Sequence, residues 1–92
     1  MKQRIYLIKG GESGLYKIGY SGHVPTRLQT LAIGSPVSLS EMYSKETENA
    51  PRVENLLHRY FADRHHHGEW YGPFDDRELD WVKETIDDYC RS

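Results

Sequence analysis

The sequence predicts an α+β domain: a small, mainly antiparallel sheet of three strands flanked by helices, in the order ββαβα with a further C-terminal helix. Three observations lead there. Two short runs rich in β-branched and aromatic residues flank a glycine-rich turn near the N-terminus, the pattern of a β-hairpin. Apolar residues recur at helical spacing through residues 48–64. Residues 75–90 open on a helix-capping pattern and carry a second apolar stripe of the same period. At 92 residues the chain makes one domain, because a single core typically takes about 50–200.

The hairpin is formed by RIYLI (4–8), the turn KGGESG (9–14) and LYKIGY (15–20). Side chains alternate across a strand. Tyr6 and Ile8 therefore share one face, opposite Ile5 and Leu7, while Tyr16, Ile18 and Tyr20 oppose Leu15, Lys17 and Gly19. Lys17 interrupts an aromatic and aliphatic run, so it faces either water or a cleft that uses a cation. Pro25 suits the first turn of a helix, where its missing N–H costs nothing. Val24, Leu28, Leu31 and Ala32 follow at helical spacing, with Arg27 one step off the stripe. GSP (34–36) ends that helix, and VSLSEMYS (37–44) alternates as a third strand.

In the next helix Val53, Leu56, Leu57, Tyr60 and Phe61 recur at i, i+3, i+4, i+7 and i+8, after Asn49 as N-cap and Pro51 in the first turn. Glu54 lies about 100° from Val53 on the helical wheel, at the edge of the buried stripe, with His58 one turn further on. A carboxylate there is half shielded from water and suits the rim of a cleft. HHHGEWYGPF (65–74) reads as a loop containing a short strand at 69–71. Asp75 and Glu78 form a capping box for the last helix, whose apolar face is Leu79, Val82, Ile86 and Tyr89.

Composition excludes several classes of function. A single cysteine, Cys90, rules out an internal disulfide framework and a cysteine-based zinc cluster, and its helical setting suits an inert residue. No apolar run approaches the ~18 residues of a membrane span, and the N-terminal apolar core is too short for a signal peptide, so the expected location is the cytoplasm. The net charge of −2 is unevenly placed. Residues 1–74 carry nine Lys/Arg against seven Asp/Glu, whereas residues 75–92 carry three against seven. Any polyanion must dock on the first three quarters of the chain. Three consecutive histidines, His65 to His67, cannot converge on one ion in ordinary backbone geometry and read as a solvated loop. KGGESG joins two strands instead of opening a helix, so it is a turn and not a phosphate cradle.

What remains is a scattered set: Tyr6, Tyr16, Lys17, Arg27, Glu54 and His58. Their order along the chain resembles the GIY-YIG endonuclease family, on IYLI (5–8), YKIG (16–19), Arg27 and Glu54. The pattern YKIG-x-S, then E-x-x-x-H, then GEW, is similar to a compact phage-type branch of that superfamily; here it reads YKIGYS, ENLLH and GEWYGP. The resemblance covers residues 4 to about 73. Three positions depart from it. Lys17 stands where the second motif usually has its tyrosine, Arg4 where the first has glycine, and Leu31 where many members carry a histidine.

The resemblance implies hydrolysis of a DNA phosphodiester with Mg²⁺ or Mn²⁺. Glu54 would anchor the metal and Arg27 would grip the scissile phosphate with its planar fork. Tyr6, with an ordinary pKa of about 10, would need a cation to act as base, and Lys17 is the expected one. His58 would protonate the leaving oxygen or orient Glu54. Tyr16, on the face opposite Lys17, is expected in the core or at the rim. Trp70 is expected to pack and Glu69 to be structural. With no appended DNA-reading segment in these 92 residues, specificity would come from the active-site surface, from oligomerisation or from a protein partner. The rival readings are a catalytically weak or inactive nucleic-acid-binding module and a protein-interaction modulator on the same fold.

Overall fold

In the computed structural model, which describes residues 2–91, strand β1 (Gln3–Gly10) is an inner strand of the sheet. It pairs antiparallel with β2 (Tyr16–Ser21) on one side and β3 (Leu39–Thr47) on the other. The chain then adds two short strands, of which the sequence announced only the second. After a single 3₁₀ turn at Ala62–Arg64, His65–His67 forms β4 and Trp70–Tyr71 forms β5, giving the order β3-β1-β2-β5-β4. The expected sheet of three strands is therefore one of five, and the histidine run is an exposed strand instead of a loop. Gly68, at φ 57°, permits the reversal between β4 and β5. Strands of two and three residues are too short to display an alternation, which is why periodicity missed β4.

Alternation holds along β1 and β2 and sorts the molecule into layers. Ile5, Leu7, Tyr16 and Ile18 point to one face, where α2 (Ala50–Tyr60) and α3 (Asp76–Cys90) cover them with Val53, Leu57, Val82 and Ile86. Tyr6 and Ile8 point to the other, under α1 (Val24–Ala32), with Val24, Leu28 and Leu31. Each fully buried aliphatic side chain contributes about 1.5–3 kcal/mol, and β1 is buried on both faces through Ile5, Tyr6, Leu7 and Ile8.

The caps follow the local chemistry. Asp75 accepts from the Glu78 amide at 2.8 Å and Glu78 accepts from the Asp75 amide at 3.2 Å, the expected box. His23 caps α1, its Nδ1 accepting from the Thr26 amide at 3.3 Å. Asn49 holds the N-cap position of α2, but only its carbonyl is used, accepting from Val53 at 3.0 Å. Several boundaries move, among them those of β3, which runs from 39 to 47 instead of 37 to 44, and of α2, which stops at Tyr60, where Phe61 turns inward to the core. Cys90 is half-buried, and burial pushes its thiol up, so it is a poor nucleophile. Among the described residues no helix is long and apolar enough to cross a membrane. The acidic α3 lies on the face of the sheet away from α1.

Candidate active site

The site forms where the sheet runs out. β5 covers β2 only at Tyr16 and Lys17, opposite Tyr71 and Trp70. One residue on, the Glu69 carbonyl accepts from the Ile18 amide at 3.1 Å, and His58 donates its Nε2 proton to the Ile18 carbonyl at 2.7 Å. Beyond Ile18 no strand among the described residues covers the outer edge of β2. Side chains from both layers meet at that edge: Tyr6 from β1 and Arg27 from α1 on one side, Glu54 from α2 on the other, and Glu69 from the turn before β5. Together they wall a polar cavity of about 510 Å³.

Register explains how a buried tyrosine reaches it. Tyr6 stands opposite Gly19 in the β1–β2 ladder, and its phenol lies across that glycine toward the open edge. A Cβ at position 19 would stand 2.4 Å from Tyr6 Oη and 2.6 Å from Cζ. Gly19 is thus a vacancy that the phenol fills. There Tyr6 accepts a hydrogen bond from Arg27.

The electrostatics are those of a shielded, mixed-charge pocket. Burial raises the Tyr6 phenol above its ordinary 10, the Arg27 hydrogen bond works against that rise, and Glu69 and Glu54 add to it. Arg27 is held above its ordinary value chiefly by the hydrogen bond to Tyr6. The Glu54 carboxyl is raised first by burial and then by Glu69, while His58, Lys17 and Arg27 pull it down. Glu69 Oε1 is buried and makes no hydrogen bond. Lys17 Nζ stands 3.6 Å from it.

The model of one protein family, the T5orf172 domain, matches residues 3–90, nearly the whole chain. The chain belongs to the T5orf172 domain family. That domain is phage-associated and belongs to a nuclease-related group. Neither the curated proteins nor the solved structures return a match.

Within this T5orf172 domain the expected site residues separate. Tyr6, Arg27 and Glu54 share one cavity. Lys17 lies on the Tyr6 face, as alternation requires, with its side chain 14% exposed. Its partner, however, is Glu69, and the cation bonded to Tyr6 is Arg27. Tyr16 is not brought to the cavity. It is 4% exposed on the opposite face and packs against Phe74, ring centroids 6.2 Å apart, because residues 16 and 17 of one strand cannot face the same way. His58 stacks on Tyr71 at 5.1 Å and spends its Nε2 proton on Ile18, which braces the turn of α2 that carries Glu54. This geometry suits the orienting role more than the donating one.

Sequence reasoning underrated Glu69, whose carboxylate lines the cavity beside Glu54. It precedes a two-residue strand, and only the pairing of Trp70 with Lys17 aims it there. Among the described residues no three His, Cys, Asp or Glu side chains are grouped to hold a metal ion. The donor set at the cavity is two carboxylates, one with a buried oxygen that makes no hydrogen bond. That set fits a hydrated Mg²⁺, which usually takes one or two carboxylates and keeps several waters.

Proposed function

We propose that this T5orf172 domain is a metal-dependent endonuclease of the GIY-YIG type, hydrolysing DNA phosphodiester bonds. The observation that carries the reading is the meeting of Arg27, Tyr6 and Glu54 at one open sheet edge from three different elements. Nothing in the fold requires that meeting. Burying Glu54 raises its pKa, so the arrangement costs stability and calls for a ligand that repays it.

The chain's own groups divide the work. Arg27 presents a planar fork of donors to the scissile phosphate. Tyr6 Oη, beside Arg27, is the group to receive the proton of an attacking water: Arg27 favours its phenolate, which takes that proton and becomes the neutral phenol. Glu54, with Glu69 beside it, would hold Mg²⁺ or Mn²⁺. Bound there, the ion supplies a Lewis acid for the phosphoryl oxygens. His58 keeps Glu54 in place through Ile18. The stretch from Ser13 to Ser40, which includes α1, contains no carboxylate, so DNA would approach on the α1 face, away from the acidic α3.

The test is nicking of a supercoiled plasmid by purified protein with Mg²⁺, Mn²⁺ or EDTA, beside Arg27→Ala and Glu54→Ala. Metal-dependent nicking absent from both variants is the expected result. Nicking that persists in both places the site elsewhere. DNA binding without cleavage by the unaltered protein favours the nucleic-acid-binding module instead.

A further inference from the structure

Beside the polar cavity lies a second concavity of a different character. Its volume is about 350 Å³, within the range that holds small organic ligands (about 300–1,000 Å³). Trp70 forms one wall, and Leu31, Ile33, Val37 and Leu39 line the others together with the turn at 34–36. Lys17 stands at the junction of the two spaces. It lines the apolar cleft, and its ammonium approaches Glu69, which lines the polar cavity.

Three features of this cleft are unaccounted for by folding. Ile33 is 83% exposed and Val37 41% exposed, so two aliphatic side chains stand in water at the end of α1 and in the loop after it. Singly they would need no explanation, but both face one concavity opposite an indole. Trp70 is firmly seated: its ring lies so close over Gly10 that a Cβ there would come within 2.7 Å of Cζ3. The strands beneath therefore hold the aromatic wall in position. Finally, among the described residues that line the cleft the one charged side chain is Lys17, whose ammonium lies 5.4 Å from the centre of the Trp70 ring.

We propose that this cleft receives a nucleobase, and that the substrate is a DNA strand offering an unpaired base next to the phosphate at Arg27. The proposal rests on the endonuclease reading for the neighbouring phosphate. An aromatic wall with aliphatic residues around it suits the face of any base, and a lysine at its mouth suits the phosphate that the base carries. A base stacked inside a duplex cannot enter such a pocket, so a single-stranded end, loop or branch fits and a perfect duplex does not.

The experiment measures binding of a fluorescent single-stranded oligonucleotide, a perfect duplex and a strand with one abasic position, all in EDTA so that nothing is cut. Trp81→Phe protein is used beside the unaltered chain, leaving Trp70 as the only indole reporter. The expected result is quenching of Trp70 by the single strand and clearly weaker binding of the duplex. Ile33→Glu, at a site too exposed to threaten folding, and Trp70→Ala each weaken single-strand binding by roughly 5- to 150-fold, the loss typical of one base stacked on an aromatic side chain. Equal affinity of Ile33→Glu and unaltered protein for the single strand overturns the proposal. So does a duplex bound as tightly as the single strand, or a self-association abolished by Ile33→Glu, which would make the cleft a contact between copies. Failure of the two readings is distinguishable. Base-dependent binding without metal-dependent cleavage removes the nuclease and keeps the cleft. Metal-dependent cleavage of the single strand unaffected by Ile33→Glu removes the cleft and keeps the nuclease.

Discussion

Substituting Gly19 by alanine tests the central geometric claim, that the Tyr6 phenol occupies the space a side chain would take. The new Cβ would lie 2.4 Å from Tyr6 Oη and 2.6 Å from Cζ. Carbon atoms prefer about 3.5–4.0 Å, so the phenol must retreat by roughly 1 Å. Tyr6 is 1% exposed beneath α1 and has little room in which to do so. Overpacking of this kind costs about 1–3 kcal/mol, and each kcal/mol lowers Tm by about 4–8 °C in a domain of this size. A 1 Å misplacement of a reacting group costs on the order of 10²-fold in rate. The assay is urea unfolding with plasmid nicking, run as a cycle of Gly19→Ala, Tyr6→Ala and the double variant. Stability losses should be strongly non-additive, because Gly19→Ala meets nothing once the ring is gone. If Gly19→Ala melts with the unaltered protein, or if the cycle is additive, the phenol does not lie where this argument needs it.

Further outcomes follow from the site. Glu54 has a folded-state pKa above its ordinary 4.5, so the folded chain holds that proton more tightly than the unfolded one. The sign is then fixed: stability falls as pH rises through the interval between the two values, and the penalty is complete above the folded value. Glu54→Gln should melt higher than the unaltered protein at about pH 8, with the advantage gone near pH 4, while nicking is lost; a Tm lowered by Glu54→Gln at pH 8 would contradict the burial argument. Adding Mg²⁺ should raise Tm of the unaltered protein and not of Glu54→Gln. For the tyrosines, Tyr6→Phe should abolish nicking with the fold kept, because it removes the oxygen bonded to Arg27, and Tyr16→Phe should leave nicking within a few-fold. Loss of activity in Tyr16→Phe with an unchanged melting curve would return Tyr16 to the site.

Much of the architecture was legible because it depends on local chemistry. The alternation of Ile5, Tyr6, Leu7 and Ile8 and the Asp75–Glu78 box each express a period or a cap within a few residues and recur in the structure, and of the predicted helical stripe Val53, Leu57 and Phe61 are buried while Tyr60 stays exposed. The separation of Tyr16 from Lys17 was likewise implicit in strand geometry. Element ends were less legible. Val37 and Ser38 fit a strand pattern yet stay in the loop, and α2 stops where Phe61 finds the core.

What the sequence alone determined is the three helices, the first three strands, the faces of the central strands and the residue types available for chemistry, because periodicity and capping act over one or two turns of chain. Only the tertiary structure decided that Trp70–Tyr71 would pair with the first half of β2 and leave the second half bare. That single pairing aims Glu69 beside Glu54, gives Lys17 a carboxylate partner and leaves Arg27 as the cation on Tyr6. These partners lie tens of residues apart. Their meeting depends on which edge of the sheet is covered, which no local pattern encodes.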